Sequence, residues 1–264
     1  MSGCGKNSGI SMLPTNPSQI VATEPQSSSP QGLVSIILAT YNESENIRDV
    51  IGAVLTSLPD PVEIIVVDDN SPDLTWKIAT EVGDLRIKVI RRVKTRGLAS
   101  AINRGIIESR GDYIGWMDAD MCHPPALLPR MLAFLQECDV VIGSRYVKGG
   151  QDDRDPSRVL TSRFINRLAS LVLGQGIRDY DSGFILMHRN VLDSVSLTPA
   201  GYGAYFIEFI YACCRKGLKV IEIPYTFTER TKGVSKSNTN LIKFGLAGVG
   251  YITRILKTRF ARLD

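Results

Sequence analysis

Along residues 34–117 the chain alternates between short, mostly apolar runs and longer stretches whose apolar residues recur with helical spacing. Val34-Ser-Ile-Ile-Leu-Ala-Thr40 is apolar and rich in branched side chains, the pattern of a strand buried on both faces. Ile47, Val50, Ile51, Val54, Leu55 and Leu58 then fall at i, i+3, i+4, i+7, i+8 and i+11, one stripe of a helix for which Ser44 is the expected cap. The pair repeats as a strand over Val62–Asp68 with a helix near 74–82, and again as a strand over 86–91 with a helix over 98–109. A fourth strand follows over Tyr113–Met117, then a helix over 127–135, a strand over 140–143 and a helix over 159–173 beside Arg158, Arg163 and Arg167. Units of this length predict an α/β fold with a mostly parallel, doubly wound sheet flanked by helices, whose ligands bind beyond the carboxyl ends of the strands.

The two ends of the chain break the pattern. Residues 1–32 are rich in Ser, Pro, Gln, Asn and Gly without apolar periodicity, which predicts a disordered tail. The glycines near Cys4 lack the spacing of a phosphate-binding loop. Residues 237–264 form the expected C-terminal helix, amphipathic and basic, with Lys257, Arg259 and Arg262 beyond an apolar run interrupted by Lys243 and Arg254. It suits either the lipid interface or packing against the domain.

Composition adds limits. A net charge of +4 from 31 basic and 27 acidic residues is too mild for a non-specific nucleic-acid binder. Five cysteines, at 4, 122, 138, 213 and 214, show neither zinc spacing nor a pairable even count, which predicts reduced, intracellular thiols. No basic-then-apolar leader is visible, and no uninterrupted apolar run approaches about 18 residues, so the chain is not expected to span a bilayer.

Acids stand where the topology places ligands. Asp118-Ala-Asp120 follows the fourth strand, and two carboxylates at that spacing can turn toward one hard cation, although the bare pattern also describes a solvated turn. Asp68 ends the second strand and suits a nucleoside, whereas Asp69 and Ser71 suit the start of the next helix. Tyr41-Asn-Glu43 offers an aromatic for a base and a carboxylate for a ribose, or a plain turn. His123, followed by two prolines, reads as a loop residue rather than a general base.

Taken in order, Ala39-Thr-Tyr-Asn-Glu43, Val67-Asp-Asp-Asn-Ser71, Gly97-Leu98, Asp118-Ala-Asp120 with His123-Pro124, Gly143-Ser-Arg-Tyr146, Asp179-Tyr-Asp-Ser-Gly-Phe184 and Phe227-Thr-Glu-Arg-Thr-Lys-Gly-Val-Ser-Lys236 resemble the family 2 glycosyltransferases of GT-A fold. Within that family they are most similar to the polyprenol-phosphate (dolichol-phosphate) mannose synthases. The resemblance implies a glycosyltransferase domain over 33–236, with a nucleotide-sugar half at 33–122 and an acceptor half at 123–236. It implies that Ala39, Tyr41, Glu43 and Asp68 hold the nucleoside, that Asp118 and Asp120 bind Mg²⁺ or Mn²⁺, and that Arg230 and Lys236 clamp the diphosphate. Arg145, Arg158 and Ser162 would receive the phosphate of a polyprenyl or dolichyl lipid, with Asp118, Asp120, Arg145 and Arg230 as the catalytic set.

The implied reaction is inverting transfer of a hexose, most simply mannose from GDP-mannose, by a peripheral protein on the cytoplasmic face of a membrane, held there directly or through an anchoring subunit. A flexible loop around Gly233, Val234 and Ser235 would close over the donor. Transfer to a hydroxyl acceptor, or nucleotide-sugar binding without turnover, are the alternatives. Two positions depart from the family's pattern: Ala39 replaces a frequent proline, and Cys122 stands where a polar third metal ligand is common. A thiol is a poor partner for Mg²⁺, so water would complete the shell, or the two carboxylates and the diphosphate would suffice.

Overall fold

The computed structural model describes residues 31–199, 204–230, 232 and 253–260. Nearly all of the expected N-terminal tail, the Gly233–Ser235 loop, Lys236 and most of the 237–264 segment lie outside those residues.

The alternating pattern folds as β1 (Val34–Thr40), α1 (Ile47–Ser57), β2 (Val62–Asp68), α2 (Thr75–Thr80), β3 (Ile87–Arg91), α3 (Leu98–Glu108) and β4 (Tyr113–Met117). A 3-10 turn at Pro125–Leu127 then leads into α4 (Leu128–Phe134), followed by β5 (Val140–Ser144), a short β6 (Gln151–Asp152) and the long α5 (Pro156–Leu173). The chain continues through β7 (Ile185–His188), α6 (Ala204–Arg215), β8 (Val220–Pro224) and a short β9 (Thr226–Phe227).

Seven strands make one sheet in the order β3-β2-β1-β4-β7-β5-β8, parallel except for β7, which runs antiparallel to both of its neighbours. Residues before and after 122 therefore contribute to a single sheet. Strands β1, β2 and β4 are buried along nearly their whole length, and mostly apolar, because both faces are covered. Ile36, Leu38, Ile64 and Val66 join the α1 stripe and α4 in one buried cluster, while Ile37, Ile65 and Val67 join Ile102 of α3, Ala169 of α5 and Phe209 of α6 in the other. Each such side chain stabilises the fold by about 1.5–3 kcal/mol on burial. The strand order reverses between β1 and β4, which leaves a crevice at their carboxyl ends.

Some local expectations are corrected. Ser44 does not cap α1. The Glu43 carbonyl accepts from the N–H groups of Asn46 and Ile47 at 3.0 and 2.9 Å, and the Ser44 N–H is spent on Asp73 at 3.0 Å. Nor do Asp69 and Ser71 start α2, which begins only at Thr75, where Asp73 accepts the Thr75 N–H at 3.1 Å. Helix α5 starts three residues before the expected Val159, because Asp155 caps it through the Ser157 N–H at 2.9 Å and Pro156 supplies a pre-set first turn.

At the C-terminal end, residues 253–260 are helical and pack on α6. Ile255 is buried in the α6-side cluster, and the Arg254 guanidinium reaches both carboxylate oxygens of Glu208, the Nη2–Oε2 contact being 2.7 Å. Among the described residues no helix is long and apolar enough to cross a membrane. Cys122, Cys138, Cys213 and Cys214 are all free.

The close approach of β4 and β7 depends on Gly115, where an added Cβ would lie 2.6 Å from the Ile185 carbonyl oxygen and 2.8 Å from Leu186 Cδ1. Gly115→Ala should therefore destabilise the domain by about 1–3 kcal/mol, the usual cost of overpacking, read as a lower urea midpoint at unchanged slope. An unchanged midpoint would show that the two strands separate without cost.

Candidate active site

Parallel register brings the acids together. Thr40 at the end of β1 pairs with Asp68 at the end of β2, and Leu38 pairs with Met117 of β4, so the loops after all three strands open on the same crevice. Four residues in these loops, Asn42, Asn70, Leu74 and Met121, hold positive φ values of 55°, 57°, 64° and 65°. Backbone in that region costs of order 1 kcal/mol for a non-glycine residue and gathers at functional sites. At Met121 the turn folds the chain back, so that the Cys122 N–H donates to Asp120 Oδ1 at 3.1 Å.

Glu43, Asp118 and Asp120 converge in this crevice. Although the Asp118 side chain reaches solvent, the protein around it and the negative charges of Asp120 and Glu43 push its carboxyl up to about 7. Arg230, arriving from the segment after β9, answers that charge: its Nη2 donates to Asp120 Oδ2 at 2.5 Å and its Nη1 lies 3.6 Å from Glu43 Oε1. Burial alone would lower the Arg230 pKa, but Asp120 and Glu43 hold it above its ordinary value.

The donor set suits a hard divalent cation, since the groups that converge are carboxylate oxygens. Cys122 adds no ligand. Its thiol is buried, and burial together with Asp120 holds its pKa well above the ordinary range, so it stays protonated and hydrogen-bonded to that carboxylate. Among the described residues no three His, Cys, Asp or Glu side chains form a complete metal cage. Two protein carboxylates with the remaining positions open to water and phosphate oxygens is the arrangement Mg²⁺-type ions use on nucleotides.

His123 fixes the acidic loop from beneath. Its Nδ1 accepts the Asp118 N–H at 3.1 Å, which assigns the proton to Nε2. The ring is fully buried, stacked on Phe184 at 5.1 Å between centroids and met edge-on by Tyr225 and Phe227, each at 5.7 Å. Burial first, and Arg145 next among the groups acting in that direction, push its pKa down to about 4 against the pull of Asp120. The imidazole is neutral and positions the loop rather than exchanging protons with a ligand.

The remaining sequence candidates divide between the crevice and its supports. Tyr41 is half-buried, with the Arg96 guanidinium 5.0 Å from its ring centroid, and Ala39 sits beside it on β1. Asp68 is wholly buried and accepts from Thr40 Oγ1 at 2.9 Å, the Ser71 N–H at 2.8 Å and Ser71 Oγ at 2.5 Å. Its oxygens thus tie the β1 and β2 loops together below the crevice. Asp69 ties β3 to α3, accepting from Arg92 Nε at 2.6 Å and from the Gly97 N–H at 2.7 Å.

On the other side of β4, Arg145 is only 3% exposed. Its Nε and Nη2 form a fork on Asp179 at 2.8 and 2.7 Å, and Nη2 also reaches the Asp181 carbonyl at 3.1 Å. Burial opposes its charge, yet Asp179 holds its pKa well above the ordinary value. Ser162 accepts from Tyr146 or donates to it at 2.8 Å, and Tyr146 also meets Asp152 at 3.0 Å. Arg158 is half-buried, 3.8 Å from the exposed Glu229. Sequence reasoning missed Asp179 as the partner of Arg145 and Phe227 as a wall of the His123 box; both lay inside motifs whose residues it quoted without assigning them roles.

Comparison with known proteins assigns the chain to a family. Residues 35–196 match the model of "Glycosyl transferase family 2". The chain is 40% identical over 210 residues to a dolichol-phosphate mannosyltransferase of Pyrococcus furiosus, covering 77% of this chain and 58% of that protein, so it spans little more than half of that relative's length. It is 34% identical over 260 residues to a polyprenol monophosphomannose synthase of Mycolicibacterium smegmatis, covering 94% and 98% of the two chains. Among solved structures, a glucosyl-3-phosphoglycerate synthase from Mycobacterium tuberculosis in complex with Mn²⁺, UDP and phosphoglyceric acid superposes with a TM-score of 0.68 at 20% identity, over 87% of this chain and 79% of that one. The shared architecture is the GT-A fold, and the chain belongs to glycosyl transferase family 2.

Proposed function

We propose that this chain transfers mannose from a nucleotide diphosphate sugar, GDP-mannose in the simplest case, to the phosphate of a polyprenyl or dolichyl lipid, with a divalent cation as cofactor. The observation that carries the reading is the meeting of Asp118, Asp120 and Glu43 at the switch point, where the Arg230 guanidinium already answers a demand for positive charge. The relatives named for lipid-phosphate mannosyl transfer support the acceptor class.

In this reading Tyr41 and Ala39 flank the base, Glu43 and the buried Asp68 set the loops that receive the ribose, and Asp118 and Asp120 hold Mg²⁺ or Mn²⁺. The bound ion supplies charge neutralisation for the departing diphosphate. Arg230, with Lys236 outside the described residues, turns from the acids to the diphosphate oxygens when donor arrives. Arg158 and Ser162, braced by Arg145 and Tyr146, orient the acceptor phosphate for attack from the face opposite the leaving group. An acceptor phosphate monoester has its second pKa near 6 and arrives mostly as the dianion, so no side chain has to remove a proton. That matches a crevice whose histidine is buried, neutral and already engaged. Catalysis then rests on orientation and preorganised charge.

Three outcomes test the scheme. EDTA should abolish mannosyl transfer to polyprenyl phosphate, with Mn²⁺ or Mg²⁺ restoring it, and Asp120→Asn should cut kcat by about a hundredfold or more with the melting temperature preserved. Metal-independent turnover, or product formed only with a hydroxyl acceptor, would refute this assignment. Arg158→Ala should raise KM for the lipid phosphate about tenfold, the loss of one charge-assisted contact, and leave KM for the donor unchanged. Because His123 holds Asp118 through a backbone N–H, His123→Ala should raise the metal concentration needed for half-maximal rate, while His123→Asn, which can still accept that N–H, should restore much of it. Equal behaviour of the two variants would show that the hydrogen bond positions nothing.

A further inference from the structure

Strand β3 is an outer edge of the large sheet, bonded to β2 alone. Its backbone polar groups alternate in direction. The Arg86 carbonyl accepts the Ile64 N–H at 2.8 Å and the Arg92 N–H donates to the Asp68 carbonyl at 2.7 Å, so the even-numbered residues face β2 while Ile87, Val89 and Arg91 face away. The Ile87 N–H turns back to the Asp84 carbonyl at 3.1 Å. Among the described residues the outward N–H and C=O groups of Val89 and Arg91 have no partner.

An open edge invites pairing, and proteins commonly guard one with charged side chains that project past the strand. Here both candidates are drawn aside. Lys88 Nζ is held by Glu108 of α3 at 2.5 Å, while Arg91 lies over the Trp76 ring, 4.2 Å from its centroid, with its Nε on Asn70 at 2.7 Å. Apolar side chains stand exposed around the edge instead: Leu85 just before β3, Val93 just after it and Ile107 on α3.

A hollow adjoins the strand on each face of the sheet. The smaller, about 160 Å³, is lined by Ala79, Gly83, Ile87 and Val89 on the α2 side. The larger, about 430 Å³, is lined on the α3 side by Ile90, Arg92, Lys94, Asn103, Arg104 and Ile107, and by no acidic residue. A strand added to an edge sends alternate side chains to opposite faces, so two such hollows are what its side chains would fill. Charge selects the occupant, because one hollow is cationic and the other small and largely apolar. A second copy pairing through its own β3 would offer the α3-side hollow Lys88 and Ile90, a cation where an anion is called for.

We propose that the open edge of β3 docks an extended acidic segment of another protein. The segment adds to the sheet as a further strand, bonds to the backbone of Val89 and Arg91, and sets carboxylates beside Lys94 and Arg104 and small apolar side chains against α2. The proposal uses no part of the transfer reaction above.

The probe is the synthetic peptide acetyl-Val-Glu-Val-Glu-Val-Glu-amide, titrated into the full chain and followed by NMR and amide hydrogen exchange. It should bind with a Kd of about a millimolar or tighter. In the free chain the Val89 and Arg91 amides should exchange fast, and saturation with peptide should slow both by about tenfold or more. The same peptide with Lys in place of Glu should bind at least about tenfold more weakly. K94Q/R104Q should weaken binding of the Glu peptide about fivefold or more. Val89→Pro, which removes an outward N–H and no bond to β2, should abolish binding. Melting temperature and turnover should stay at wild-type values in K94Q/R104Q, which carries the test even if the proline variant fails to fold.

Unchanged exchange at Val89 and Arg91, or Glu and Lys peptides that bind alike, would overturn the proposal. So would a wild-type dimer that Val89→Pro disperses in light scattering, because the edge would then join two copies. Val89 and Arg91 amides already protected in a free monomer would overturn it as well, since the chain itself would then cover the edge.

Discussion

Repulsion among three carboxylates organises this molecule. Glu43 is carried on the loop after β1 and Asp118 with Asp120 on the loop after β4, yet the parallel pairing of β1 with β4 leaves those two loops no direction but the same crevice. Burial first, and then the negative charges of Asp120 and Glu43, hold the Asp118 carboxyl above its ordinary value. Arg230 relieves that repulsion from the far end of the sequence, 110 residues from Asp120. That contact suits the proposed reading, in which the guanidinium would turn to a phosphate as a divalent ion enters.

Holding the acids in place takes more than the strands. Positive φ at Asn42, Asn70 and Met121 gives each strand-end loop a sharp reversal, and buried side chains fix what the reversals set up. Asp68 stitches β1 to the loop after β2; Asp69 stitches that loop to α3; His123 stitches the Asp118 backbone to Phe184, Tyr225 and Phe227. None of the three needs to touch a ligand to matter, because a loop displaced by an ångström would lose the alignment on which this kind of catalysis depends.

Much of this was legible in the sequence, and the limits have physical causes. Strands β1, β2 and β4 announce themselves because both faces are buried, and the acids at their ends follow from topology. Strand β7 and helix α6 are harder to read, since a four-residue antiparallel insertion between β4 and β5 carries no periodicity of its own. Motif spelling marked Arg145 without showing that Asp179, 34 residues on, takes up its fork, or that both are buried. Asp68 likewise reads as a ligand from its place at a strand end, whereas Thr40 and Ser71 fill its oxygens from within. In each case the missing information is a partner distant in sequence, which residue type and position do not encode.

Phe227 shows how the two halves of the crevice are made to answer each other. Through the short parallel pair β6 and β9, Asp152 is in register with Phe227, and the N–H groups of Gln151 and Asp153 donate to the carbonyls of Tyr225 and Phe227 at 3.0 and 2.9 Å. The Phe227 ring meets His123, which holds the acidic loop, and lies 5.7 Å from the Arg145 guanidinium and 4.8 Å from that of Arg154. Three residues later comes Arg230. A segment that pairs with the strand leading into α5, walls the histidine beneath Asp118 and carries the guanidinium of the acid cluster cannot shift without moving all three. In the proposed reaction, a departure of Arg230 toward a diphosphate would therefore be tied mechanically to the side of the crevice where Arg158 and Ser162 stand, and filling one half of the site would bear on the shape of the other.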